Sequence, residues 1–191
     1  MSAAETFRYL AVSFSMILGL GVTRVLSGLV RAFRARRQVE LDWIPFAWAA
    51  ATFVLQIQFW WAVIELPSLI EHWTLATFLL LLSIPLVLFA AAAMILPLGE
   101  LAPGENLMST FTEDGRWGLV FLSAYAAIAF VIDVFLFDTT IASAATLYVG
   151  LEFVLPILFL FISRRPAQSV LTGAYVLVIL WSSWTLSPKL Y

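Results

Sequence analysis

Seven side chains inside the apolar stretches of this chain have the types that do chemistry: Arg24, Gln56, Gln58, Tyr125, Asp133, Tyr148 and Glu152. Ionisable residues among apolar neighbours are rare. They usually face a bundle interior or water, where they mark ion, proton or substrate pathways. A carboxyl set between desolvation and a nearby guanidinium can both take up and release a proton. Glu152 with Tyr148 and Arg24 therefore reads as a switch, with Gln56, Gln58 and Asp133 lining its access route.

Spacing ties each acid to a tyrosine. Tyr125, Ala129 and Asp133 stand at i, i+4 and i+8 of one helical face, and Ala145, Tyr148, Glu152 and Pro156 share another, so the Tyr148 hydroxyl is expected to help solvate Glu152. Gln56 and Gln58 lie two positions apart and project from nearly opposite sides of their helix. Amides turned toward lipid would lose their hydrogen-bond partners. The helix carrying them is thus expected to have protein or water on two sides.

Several other chemistries find no support. Cysteine is absent, which excludes disulfides, thiolate metal sites and cysteine nucleophiles. The single histidine, His72, gives no pair of axial haem ligands, and beside Glu71 it is a weak metal candidate. No HExxH motif occurs, and Lys189, the one lysine, lies too near the C-terminus for a Schiff-base pigment. Neither a metal nor a cofactor is expected. A net charge of -2 without a basic surplus argues against a nucleic-acid partner.

The elements that position these residues follow from composition. With 63% hydrophobic and 12% charged residues, against about 25% charged in soluble domains, the chain reads as an all-α integral membrane protein. A span needs roughly 20 apolar residues to cross about 30 Å of hydrocarbon. Segments 9–30, 43–64, 73–96, 117–137, 141–162 and 168–186 qualify, which predicts one six-helix transmembrane domain over residues 1–191. The N-terminus has no basic leader region and no clear cleavage site, so the first span is expected to be retained.

Positive charge sets the expected orientation, because Lys and Arg favour the cytoplasmic side. Arg31, Arg34, Arg36, Arg37, Arg116, Arg164 and Arg165 fall in alternate connections, leaving Arg8 and Lys189 opposite them. Both termini are thereby placed on the non-cytoplasmic side, with Glu65, Glu71 and Asp138. Trp43 and Trp117 fall at inner span ends and Trp60, Trp61, Trp73, Trp181 and Trp184 at outer ones, as interfacial rings prefer. Arg31, Arg34 and Arg37 have a voltage-sensor spacing, but they lie beyond the apolar core and read as an anchor, as do Arg36, Arg164 and Arg165. The acidic connection 98–116, with Glu100, Glu105, Glu113 and Asp114, either docks on these arginines or is simply solvated.

Span one carries Ser15, Gly19, Thr23 and Ser27 at intervals of four, with Gly21 and Gly28 on an adjoining face. Such small-residue stripes let helix backbones approach closely, inside one bundle or across a homodimer seam. Depth, taken at about 1.5 Å per residue, places Glu152 near the midplane, the glutamines and Asp133 outward of it, and Arg24 toward the cytoplasm. Arg24 leans toward its own N-terminus, which leaves Glu152 or the lipid headgroups to receive it.

The expected function is a small ion- or proton-conducting transporter or channel in a bacterial inner membrane. A second possibility is a non-catalytic accessory subunit of a larger membrane complex. A third is an enzyme or a binder of lipid, quinone or pigment, whose sites need no recognisable motif. Membrane lipids are the expected surroundings, with assembly as a homo-oligomer or within a larger complex.

Overall fold

The computed structural model describes residues 3–70, 73–97, 99, 103–136 and 144–186. Its long elements are α1 (Ala3–Ala35), α2 (Trp43–Val63), α4 (Leu75–Ile95), α6 (Trp117–Phe135), α7 (Ala144–Phe161) and α8 (Arg165–Leu186). Two single turns, α3 (Leu66–Leu69) and α5 (Leu107–Thr110), lie in the connections, and a π-helical turn, Phe111–Gly115, follows α5. Glu71, His72, Glu100, Asp138 and Lys189, and the side chain of Ala145, lie outside the described residues.

Local chemistry sets the helix ends. The Asp42 carboxylate caps α2 by accepting from the Ile44 N–H at 2.8 Å, and the Thr74 hydroxyl caps α4 by accepting from the Thr77 N–H at 3.1 Å. Each cap satisfies a donor that the first turn leaves without an intrahelical partner. Asp42 also forms a salt bridge with Arg165, joining the start of α2 to the start of α8.

Among the described residues five helices, α1, α2, α4, α6 and α8, are long and apolar enough to cross a membrane, and α7 is a shorter apolar helix over Thr146–Phe161. The chain is a multi-pass all-α membrane protein. Helices α2, α4, α6, α7 and α8 form a closed ring in which each touches the next and α8 returns to α2. Helix α1 stands outside this ring, packed on α2 and α4.

Aromatic clusters fill the two halves. Trp48 stacks on Tyr175 at 4.5 Å and meets Phe159 edge-on at 5.5 Å, and Phe111 of the π-helical turn also packs on Phe159. Phe14 of α1 meets Phe59 and Phe78 toward the other end.

Helix α1 is longer than the expected span, and its Ser15, Gly19 and Thr23 stripe does not pack inside the bundle. It runs for 33 residues, about 50 Å at 1.5 Å per residue, so Arg31 and Arg34 belong to its last turns rather than to a connection. Its Ser15, Gly19 and Thr23 face is exposed, while Phe14, Leu18, Gly21, Arg24, Val25 and Gly28 are buried. Burying the large side chains of that adjoining face removes more apolar area from water or lipid, and Gly21 and Gly28 let it come close. A Cβ on Gly21 would lie 2.6 Å from Gln56 Nε2, and one on Gly28 would lie 2.9 Å from Leu96 Cβ.

The connections at the arginine-rich end dock through main chain. Glu40 N–H donates to Glu105 O at 3.0 Å, Leu107 N–H to Glu40 O at 3.0 Å and Gly104 N–H to Gln38 O at 2.7 Å. The Asn106 amide adds a bond to the Glu40 carboxylate at 2.8 Å. Gly104 sits at φ +87°, a left-handed conformation that glycine adopts without steric penalty.

Candidate functional site

The ring of five helices encloses a partly open cavity of about 260 Å³. Helix α6 contributes Tyr125, Ala129 and Asp133, the stripe spaced at four residues, and α7 contributes Tyr148, Val149 and Glu152. Gln58 and Trp61 come from α2, Leu81 and Ile84 from α4, and Ser182 and Ser183 from α8. Leu66 of α3 closes the rim. The cavity thus lies in the half of the bundle where α2, α6 and α8 end and α7 begins, away from the arginine-rich end.

Five of the seven candidate residues, Gln58, Tyr125, Asp133, Tyr148 and Glu152, line this one space. Glu152 is only 5% exposed, and its Oε1 accepts a hydrogen bond from the Ser182 hydroxyl at 3.1 Å. Ser182 also donates to Ile179 O at 3.0 Å, so one hydroxyl spans the carboxyl and its own helix. The hydroxyl beside Glu152 therefore comes from α8 and not from Tyr148. Tyr148 instead accepts from Trp181 Nε1 at 2.9 Å, because its ring turns toward the neighbouring helix. Gln58 donates to Ile179 O at 3.3 Å and, closely, to Ser183 Oγ, tying α2 to α8.

Proline interrupts the hydrogen-bond ladder of two helices beside the same space. Pro156 lies inside α7 and Pro85 inside α4. Lacking an N–H, each leaves the carbonyl four residues earlier without its intrahelical donor. Those carbonyls belong to Glu152 and Leu81, which both line the cavity. The next carbonyl, that of Phe153, accepts from Ser123 of α6 at 3.1 Å, which ties α6 to α7 beside the proline.

Arg24 and Gln56 lie apart from the cavity. Arg24, 8% exposed, donates from Nη2 to Leu96 O at 2.6 Å and to Ala93 O at 2.9 Å. It therefore closes the C-terminal end of α4, where unpaired carbonyls and the helix dipole both favour a cation. The bonds it makes go to α4 main chain and not to Glu152, and α1 stands outside the ring, packed on α2 and α4. Its Nε and Nη1 are buried without a hydrogen-bond partner among the described residues. Gln56, 1% exposed, reaches Leu88 O of α4 at 3.4 Å and sits against Gly21. The two glutamines thus face α4 and α8 from opposite sides of α2.

Ser182 and Ser183 were missed by sequence reasoning, and Trp61 and Trp181 were read only as interfacial rings. The signal available was the run WSSW at 181–184, two hydroxyls inside an otherwise apolar span, which is a place where polar side chains need partners. The chain matches no family model, no curated protein and no solved structure.

Proposed function

We propose that this protein is a small proton- or cation-conducting transporter or channel, and that Glu152 is the group in its cavity that gains and loses the proton. One observation carries the reading: Glu152 and Asp133 share a cavity enclosed by five helices, and no lysine or arginine lines it among the described residues. Buried acids without a fixed counter-ion favour an exchangeable positive charge. The positive-inside rule supports placing the arginine-rich end in the cytoplasm. The cavity then lies on the outer side of the bundle, six helices cross the membrane with α7 as the fifth span, and Glu152 lies near the midplane.

The test is whether water reaches Glu152. Infrared spectra of the protein in lipid, at a pH low enough to protonate the acid, are compared in H₂O and D₂O. The expected outcome is a carboxyl band that shifts promptly and disappears in Glu152→Gln. A Glu152 band that does not respond to D₂O contradicts the reading.

A second reading, an accessory subunit of a larger complex, is favoured by the exposed face of α1. Ser15, Gly19 and Thr23 are open there, and a Cβ on Gly19 would meet nothing within 4 Å, so another helix could seat closely. Native mass measurement from lipid separates the two. A symmetric homo-oligomer favours transport, whereas a defined partner lost in Gly19→Leu favours the accessory role.

A further inference from the structure

We propose that the cavity takes a small organic ammonium ion, bound in exchange for the proton of Glu152. This rests on the proton-exchange reading above and names the substrate class of the same site.

Charge comes first. The two carboxyls face a space that no basic side chain lines among the described residues. Three of the hydrogen-bond donors around it are committed: the Gln58 amide to Ile179 O and Ser183 Oγ, the Ser183 hydroxyl to Ile179 O at 2.6 Å, and the Ser182 hydroxyl to Glu152 and Ile179 O. The carboxyl oxygens of Glu152 and Asp133 are the charged acceptors of this space. An ammonium group is the complementary ligand, because it brings several N–H donors and no acceptor.

Shape then separates an organic cation from a bare one. A metal ion or a proton has no use for apolar walls, yet Phe59, Leu66, Ile84, Ile132 and Val149 form most of this one. Trp61, Tyr125 and Tyr148 add aromatic rings, whose faces attract a cation in a desolvated site. The volume, about 260 Å³, falls just below the usual range of ligand pockets, which begins at about 300 Å³, so the ligand must be small. A primary ammonium on a short apolar or aromatic body fits both walls at once.

The exchange balances. Glu152 as a carboxylic acid gives its proton to water at the open side and becomes a carboxylate as the ammonium enters, so one positive charge leaves for each that arrives. The titratable groups around Glu152 are Asp133 and Tyr125 from α6, Tyr175 from α8 and Tyr148 from α7. Helices α2 and α4 present Gln58 and apolar residues. Asp133 is thus the one other carboxyl facing the exchange among the described residues, and it holds the mouth acidic.

The experiment titrates the full chain in lipid nanodiscs with phenethylammonium chloride, using calorimetry in paired buffers of different ionisation enthalpy. Phenylpropionate, similar in shape and opposite in charge, is the control. Saturable binding of the ammonium and not the anion is expected, with release of about one proton per cation. Glu152→Gln should weaken binding about tenfold or more and remove the proton release, and Asp133→Asn should weaken it less. Equal behaviour of ammonium and anion with the wild-type protein overturns the proposal without relying on any variant. Binding unchanged in a folded Glu152→Gln protein also overturns it. If the cation does not bind while proton flux in liposomes depends on Glu152, this inference fails and the proton reading survives. Without either, both fail.

Discussion

Arg24 shows how an arginine can be buried without an acid. Two carbonyls at the end of α4 take its Nη2 hydrogens, and they are the carbonyls that a helix C-terminus leaves without donors. Its position inside an apolar run was plain in the sequence, but its partner was not, because backbone carbonyls at a helix end carry no residue-type signal. Hydrogen bonds to charged groups are worth about 1.5–3 kcal/mol, so Arg24→Ala should lower unfolding stability in detergent by about that amount. A variant as stable as the wild type contradicts the clamp. Tyr175 gives the opposite expectation. Its hydroxyl is buried without a partner among the described residues, and an unsatisfied buried polar group is destabilising by about 1–3 kcal/mol. Tyr175→Phe should therefore melt at the same temperature as the wild type or higher, and a clear drop would show that the hydroxyl has a partner after all. Glu152 was legible as a buried acid. Ser182, its hydrogen-bond donor, was not, since which face of α8 meets α7 depends on packing that no single helix encodes.

At the scale of helices, close approach depends on a few glycines, and not on those whose spacing advertises it. The i, i+4 stripe of Ser15, Gly19 and Thr23 remains exposed, while Thr23 satisfies its own hydroxyl on Gly19 O at 2.7 Å. Gly118 does the closest work between α6 and α4: a Cβ there would lie 2.6 Å from Ile95 Cγ1 and 3.1 Å from Ala91 O. Overpacking that forces backbone shifts costs about 1–3 kcal/mol, so Gly118→Ala should destabilise by that amount. Gly150→Ala meets nothing within 4 Å and should be neutral or stabilising by up to about 1 kcal/mol, from helix propensity. Equal effects of the two substitutions would show that α4 and α6 are not so closely packed. Helix positions and the prolines within them were readable from apolar run length and breakers. The main-chain docking of 38–40 against 104–107 was not, because it uses peptide groups that every residue carries.

For the whole molecule, the long apolar helices follow directly from composition and run length, but the closed ring does not follow from chain order. Placing α1 outside the ring separates Arg24 from Glu152, which is why a depth argument from single spans paired them. Orientation is directly testable because the chain has no cysteine. Single substitutions Arg36→Cys and Thr74→Cys, both at exposed positions, should be labelled by an impermeant maleimide from opposite sides, Arg36→Cys from the cytoplasmic one; the reverse pattern inverts the topology. Proton flux in proteoliposomes under an imposed gradient shows whether Glu152 exchanges protons through the cavity. Measurable flux is expected for the wild type and little or none for Glu152→Gln, with Arg24→Ala, where it folds, retaining flux because α1 lies outside the ring. Wild-type flux that Glu152→Gln leaves unchanged contradicts this role of Glu152.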